Sequence, residues 1–184
     1  LVSTYQAVSK NKKKAIDELT SQIKQFVKKE ELTNEVYPHQ IAFNVLPHID
    51  IFFDNGYTKE EMKLVRETRK ILDDSSLMIS ATAARIPVYY GHAESVNVET
   101  EEKIEIEGLK KLLNNTEGVK VVDDPENNTY PLPVISEEDD DVMVGRIRED
   151  ISIENGINMW VVANNLRKGA ALNAVQIAEK IINN

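Results

Sequence analysis

A chain of 184 residues, 41% hydrophobic and 29% charged, has the length and composition of one globular domain with a buried core. The formal net charge of -9 argues against nucleic-acid binding, and no apolar run approaches the roughly 20 residues that span a bilayer. Zero cysteines exclude disulfides and thiolate metal sites and are compatible with a cytoplasmic protein.

The chain opens at Leu1 in a strand-like run to Val8, which suggests that it is cut from something longer. From Lys12 to about Lys29, Ile16, Leu19, Ile23, Phe26 and Val27 recur at helical spacing. Residues 33–55 carry Pro38, Pro47 and scattered aromatics without a period, which predicts a long loop of the kind that often carries function. Thr58 and Glu61 form a capping-box pattern that starts a second helix, with Met62, Val65, Arg69 and Leu72 on its inner face.

Strands are predicted at Leu77–Ala84 and at Glu94–Thr100, where Val96 and Val98 alternate with polar residues. A short helix around Leu109, Leu112 and Leu113 ends near Gly118, and a strand follows at Val119–Val122. The acidic run Glu137–Asp141 reads as a solvated loop before the strand Val142–Arg148. Gly156 separates that strand from Ile157–Ala163, and a small-residue helix closes the chain from about Leu166 to Ile182. Two sequons, at Asn114 and Asn127, read as turn residues. The pattern predicts one α+β domain with a mixed, largely antiparallel sheet.

Chemistry concentrates in a few places. Arg85 stands seven residues before His92, which follows Gly91; an arginine grips a carboxylate at any pH and a histidine exchanges protons near neutrality. Each also fits a purely structural role, as an ion-pair residue or a satisfied histidine. Glu60 and Lys63 lie three apart on one helix face, where with Glu67 and Lys70 they equally form a solvated stripe. Gln6 is a polar residue within the first strand. His39, His48, Asp50 and Asp54 are metal-ligand types at spacings that match no ligand motif, so no metal site is expected. No glycine-rich phosphate loop is present.

Together these segments resemble the C-terminal catalytic and dimerisation domain of aspartate-β-semialdehyde dehydrogenase. The resemblance rests on Ser3-Thr-Tyr-Gln-Ala-Val-Ser9, Ile41-Ala-Phe-Asn-Val-Leu-Pro-His-Ile-Asp50, Asp54-Asn-Gly-Tyr-Thr-Lys-Glu-Glu-Met-Lys63 and Glu67-Thr-Arg-Lys-Ile71. It continues through Arg85–Asn97, Val144-Gly-Arg-Ile-Arg148, Asn158-Met-Trp-Val-Val162 and Asn165-Leu-Arg-Lys-Gly-Ala-Ala-Leu-Asn173, in order along nearly the whole chain.

The resemblance implies a domain like the C-terminal one of glyceraldehyde-3-phosphate dehydrogenase, with helices on one sheet face and a second subunit on the other. It implies NADPH-dependent conversion of aspartyl phosphate to aspartate semialdehyde in lysine, methionine and threonine biosynthesis. By resemblance His92 is the acid/base, Gln6 orients the acyl intermediate, and Arg85 grips the substrate carboxylate. Glu60 meets the substrate ammonium, Lys63 the acyl phosphate, and Asn165 the nicotinamide amide. Residues 1–184 would form the substrate-binding and dimerisation domain of a homodimer. The family's NADP-binding domain and cysteine nucleophile lie upstream and are absent from this chain, so the isolated chain is expected to be inactive. The other readings are a non-catalytic interaction module of the same fold and the related N-acetyl-glutamyl-phosphate reductase; Glu60 and Lys63 speak against the second. One departure is conspicuous: after Ser9 the family usually has glycines, and here the chain reads Lys10-Asn11-Lys12-Lys13.

Overall fold

The computed structural model describes residues 1–137 and 139–183, which fall into two compact units, Leu1–Tyr89 and Tyr90–Asn184. In the first unit, β1 (Val2–Gln6) and β2 (Ala81–Arg85) run parallel, in a register that sets Gln6 beside Arg85. Parallel neighbours need a long crossover. It consists of a 3-10 turn (Val8–Asn11), helix α1 (Lys12–Lys28), a loop, and helix α2 (Lys59–Ile71).

The buried side chains of α1 are Ala15, Glu18, Leu19 and Gln22. Phe26 and Val27, expected on the inner face, are exposed, and Phe26 lies against Phe43 with ring centroids 4.6 Å apart. Two polar residues occupy the seam because the following loop has no ladder to satisfy its backbone. The Glu18 carboxylate accepts the N–H groups of Glu35, Val36 and Tyr37. Gln22 Oε1 accepts those of Ile41 and Ala42, at 3.0 and 2.9 Å. Val8, Leu19, Tyr37, Ile41 and Leu46 then close an apolar core.

Helix α2 begins as the sequence predicted. Thr58 Oγ1 accepts the Glu61 N–H, and the Glu61 carboxylate accepts the Thr58 N–H at 2.7 Å. Val65 is buried, but Leu72 caps the C-terminus and is exposed. Strand β2 starts later than expected because residue 77 is already engaged: Arg69 donates twice to the Leu77 carbonyl, at 2.9 and 2.7 Å.

The second unit holds β3 (His92–Glu99), β4 (Val119–Val121), β5 (Val142–Glu149) and β6 (Gly156–Ala163), in the order β3-β6-β5-β4. The long β3–β6 and β5–β6 ladders are antiparallel and β4–β5 is parallel, so the strands are mixed and the fold is α+β. Helix α3 (Ile106–Asn114) lays Leu109 and Leu113 on the core residues Val144, Ile147 and Ile157, while Leu112 faces out. Gly156 does not separate β5 from β6 but begins β6. Residues 150–155 make the turn, with Asp150 accepting both the N–H and the hydroxyl of Ser152.

The closing helix starts unevenly. Arg167–Ala171 form a π turn with backbone bonds from Gly169 to Asn164 and from Ala171 to Leu166, and regular α4 runs over Leu172–Asn183. Of the acidic run, Glu138 lies outside the described residues; Asp139 pairs with Lys120 and Asp140 with Arg167. Asn127 ends the 3-10 turn Pro125–Asn127 with its amide on Asp124, as read for that sequon, whereas Asn114, read the same way, is the last residue of α3.

Candidate active site

In the first unit the C-terminal ends of β1 and β2 meet the first turn of α2. The capping residue Glu61 does more than cap: its second oxygen accepts the Ala83 N–H of β2 at 2.9 Å, fixing the helix start against the strand. The neighbouring carboxylate, Glu60, is thereby turned inward and buried. The buried Gln6 amide donates to Glu60 Oε1 at 3.0 Å. Lys10, projecting from the 3-10 turn, donates to Gln6 Oε1 at 3.1 Å and forms an ion pair with Glu60.

Burial raises the Glu60 carboxyl, but the hydrogen bonds from Lys10 and Gln6 outweigh it and hold the group below its ordinary value. A carboxylate receiving two N–H donors is stabilised as the anion, and this governs the pair. Lys10 is drawn below its ordinary value by burial and by the charges of Lys63 and Arg85, against the pull of Glu60. Lys63 is exposed and pairs with Glu67 at 3.9 Å, yet its charge also reaches Glu60. Only Lys63, Glu67 and Lys70 therefore belong to a solvated stripe; Glu60 does not.

Arg85 is 2% exposed at the end of β2. Its guanidinium donates to the Ala7 carbonyl at 2.7 Å and to Asn11 Oδ1 at 3.0 Å. Among the described residues no carboxylate forms an ion pair with it, so the fork is held in place by neutral acceptors with further N–H groups available. That arrangement suits an arginine kept for an incoming anion better than a structural salt bridge.

In the second unit His92 opens β3 opposite Ala163, at the end of the ladder. It is preceded by Gly91 at φ +81°, where a Cβ would stand 2.5 Å from Ser136 Oγ and 2.9 Å from the Pro133 backbone. The Gly91 N–H donates to Asn165 Oδ1 at 3.0 Å, so two of the predicted residues share one backbone link. Asn164, beside it, caps the π turn by accepting the N–H groups of Leu166 and Arg167.

Two of the four residues considered as metal ligands have separate partners. His48 stacks on Phe52 at 4.4 Å, and Asp50 pairs with Lys59 at 3.5 Å. A cleft of about 390 Å³ in the second unit, lined among others by Ser95, Arg146, Arg148 and Trp160, contains none of the residues singled out above. Sequence reasoning overlooked Lys10, Asn11 and the double duty of Glu61. A lysine four residues beyond Gln6, in a segment where the resemblance calls for glycine, was the available signal for Lys10.

The chain belongs to the semialdehyde dehydrogenase dimerisation-domain family, whose model matches residues 1–168. Its relatives are aspartate-semialdehyde dehydrogenases: that of Aquifex aeolicus is 55% identical over 183 residues, covering 99% of this chain and 54% of the relative. Among solved structures, aspartate semialdehyde dehydrogenase II from Vibrio cholerae, complexed with ASA, is 48% identical with a TM-score of 0.95, covering 100% of this chain and 54% of that one. The Candida albicans enzyme with NADP is 25% identical with a TM-score of 0.69, covering 98% of this chain and 49% of that one. The chain thus spans about half the length of the curated relatives it matches.

Proposed function

We propose that this chain is the substrate-binding and dimerisation half of an NADPH-dependent aspartate-semialdehyde dehydrogenase that acts on aspartyl phosphate as a homodimer. The observation that carries the reading is the buried contact of Gln6 with Glu60 beside the Arg85 guanidinium. A substrate with a carboxylate, an ammonium and an acyl phosphate finds Arg85, Glu60 and Lys63 as respective partners. Gln6, held on Glu60, orients the acyl group. The Tyr37 hydroxyl, buried without a hydrogen-bond partner among the described residues and sensing the Arg85 charge, gains an acceptor when a carboxylate binds there.

His92 exchanges the proton of the attacking and leaving groups, and the fixed Gly91 backbone sets its direction. The chain has no cysteine, so the thiol that attacks the acyl phosphate comes from outside these residues. Bound NADPH supplies the hydride. Asn165, with its amide oriented by the Gly91 N–H, meets the nicotinamide carboxamide.

The test is complementation. Purified chain is expected to show no phosphate-dependent reduction of NADP⁺ with aspartate semialdehyde. Joined to the nucleotide-binding half of the Aquifex aeolicus relative, it is expected to turn over. A joined protein that folds and dimerises yet stays inactive would instead favour a non-catalytic interaction module of the same fold.

A further inference from the structure

The assignment of Glu60 to the substrate ammonium meets a difficulty in this chain, because an ammonium is already there. Lys10 Nζ rests on Glu60 Oε1 and on Gln6 Oε1, the latter at 3.1 Å. The first of these is the contact that the functional reading gives to an incoming amino group. A second ammonium on this carboxylate, at either oxygen, would stand close to Lys10 Nζ, and the two like charges repel at that range. Being part of the chain, Lys10 competes at the effective concentration of a short tether, in the millimolar range.

We propose that Lys10 is an internal competitor for the ammonium position and thereby lowers the preference of this site for aminated over non-aminated acyl substrates. The proposal rests on the functional reading above. Displacement is feasible because the Lys10 side chain is 32% exposed and has a path to solvent. It is also assisted, since Lys63 and Arg85 place like charges around Lys10. A substrate without an amino group leaves Lys10 where it is and binds through its carboxylate and phosphate alone, so it bears no displacement penalty.

The experiment uses the chain joined to the nucleotide-binding half of the Aquifex aeolicus relative, and wild type here means that joined protein with the chain unchanged. Phosphate-dependent oxidation of L-aspartate semialdehyde and of succinate semialdehyde by NADP⁺ is compared in wild type, Lys10→Met and Lys10→Gly. Both variants are expected to lower KM for the aminated aldehyde relative to the non-aminated one by about tenfold, the scale of one charge-assisted hydrogen bond. A purely structural lysine would shift both substrates together and leave that ratio unchanged, which overturns the proposal. A weaker grip on both substrates overturns it too, since Lys10 would then be an anion ligand.

Wild type that oxidises neither aldehyde overturns the functional reading and this proposal with it; activity with an unmoved ratio overturns only the proposal. An independent readout needs no variant. The Lys10 side-chain NMR signals of wild type are expected to move on addition of L-aspartate and not of succinate, and equal responses to both count against displacement.

Discussion

The Gln6 amide donates to the Glu60 carboxylate at 3.0 Å, a buried contact between residues 54 positions apart. Three separate features of the sequence converge to make it. The parallel register brings Gln6 level with Arg85, the capping box starts α2 at this level, and the second oxygen of Glu61 ties that start to Ala83. Polar residues at strand ends next to a helix start form a site only if the helix is fixed against the strand, and Glu61 does that.

The Glu60 carboxyl gives a pH prediction. Burial raises it, and the Lys10 and Gln6 hydrogen bonds more than offset this, so its folded value lies below the ordinary 4.5. A depressed folded value contributes stability that is present above the unfolded value and is lost as pH falls through the folded one. Urea midpoints followed from about pH 7 to about pH 3 should therefore fall more steeply in wild type than in Glu60→Gln. Parallel profiles would show that Glu60 is not held as the anion.

Lys12 has φ 66° and ψ −166°, a region of backbone space that essentially only glycine adopts without strain. Its sequence neighbours explain why it is tolerated: the turn Val8–Asn11 is anchored by Val8 and Ser9 N–H bonds to the carbonyls of Val88 and Tyr89. Replacing Lys12 by glycine should stabilise the protein by about 1 kcal/mol, strain relief of ~1–3 kcal/mol less the greater freedom of glycine in the unfolded chain. Lys24→Gly, exposed in the interior of α1 with no strain to relieve, should instead destabilise by about 1 kcal/mol. Denaturant titration of the two variants, moving in opposite directions, checks this.

Periodic and capped segments were legible in the sequence: α1, the α2 start and the β5–β6 pair appear within a few residues of where the pattern puts them. The inner face of α1 was not. Apolar spacing favoured Phe26 and Val27, whereas the structure buries Glu18 and Gln22, because the demand for acceptors comes from a loop 15 or more positions away. Site residues were legible mainly through the family resemblance, since Gln6 and Glu60 taken singly look like an ordinary strand residue and an ordinary surface acid. Lys10 escaped both routes: its partner lies 50 positions along the chain, and the resemblance pointed to glycine at its position.

Gly91 is a position where an added methyl group meets backbone. Its φ of +81° disfavours any side chain, and a Cβ would lie 2.5 Å from Ser136 Oγ and 2.9 Å from the Pro133 carbonyl. Gly91→Ala should cost about 3 kcal/mol in unfolding free energy, from left-handed strain and overpacking together. Adding Ser136→Ala removes only the side-chain clash, so it should recover part of the loss and not all of it. A double variant as stable as wild type would show that the backbone there yields freely, and that His92 is not fixed through Gly91.

Glu18 holds the loop that carries Tyr37 into the core. Its carboxylate accepts three consecutive backbone N–H groups, those of Glu35, Val36 and Tyr37. Those donors sit in a stretch without regular secondary structure, so nothing else in the ladder takes them. Glu18→Ala orphans them together and should destabilise the protein by about 3 kcal/mol, as expected for loss of a charged acceptor to one buried and two partly buried N–H groups. Glu18→Gln keeps one carbonyl acceptor and should lose about half as much. Hydrogen exchange distinguishes this from a general loss of stability. The amides of residues 35–37 should lose protection in Glu18→Ala before those of Ile41 and Ala42, which are held by Gln22. Simultaneous loss at both places would mean that the two clamps open as one unit and that Glu18 does not hold its segment independently.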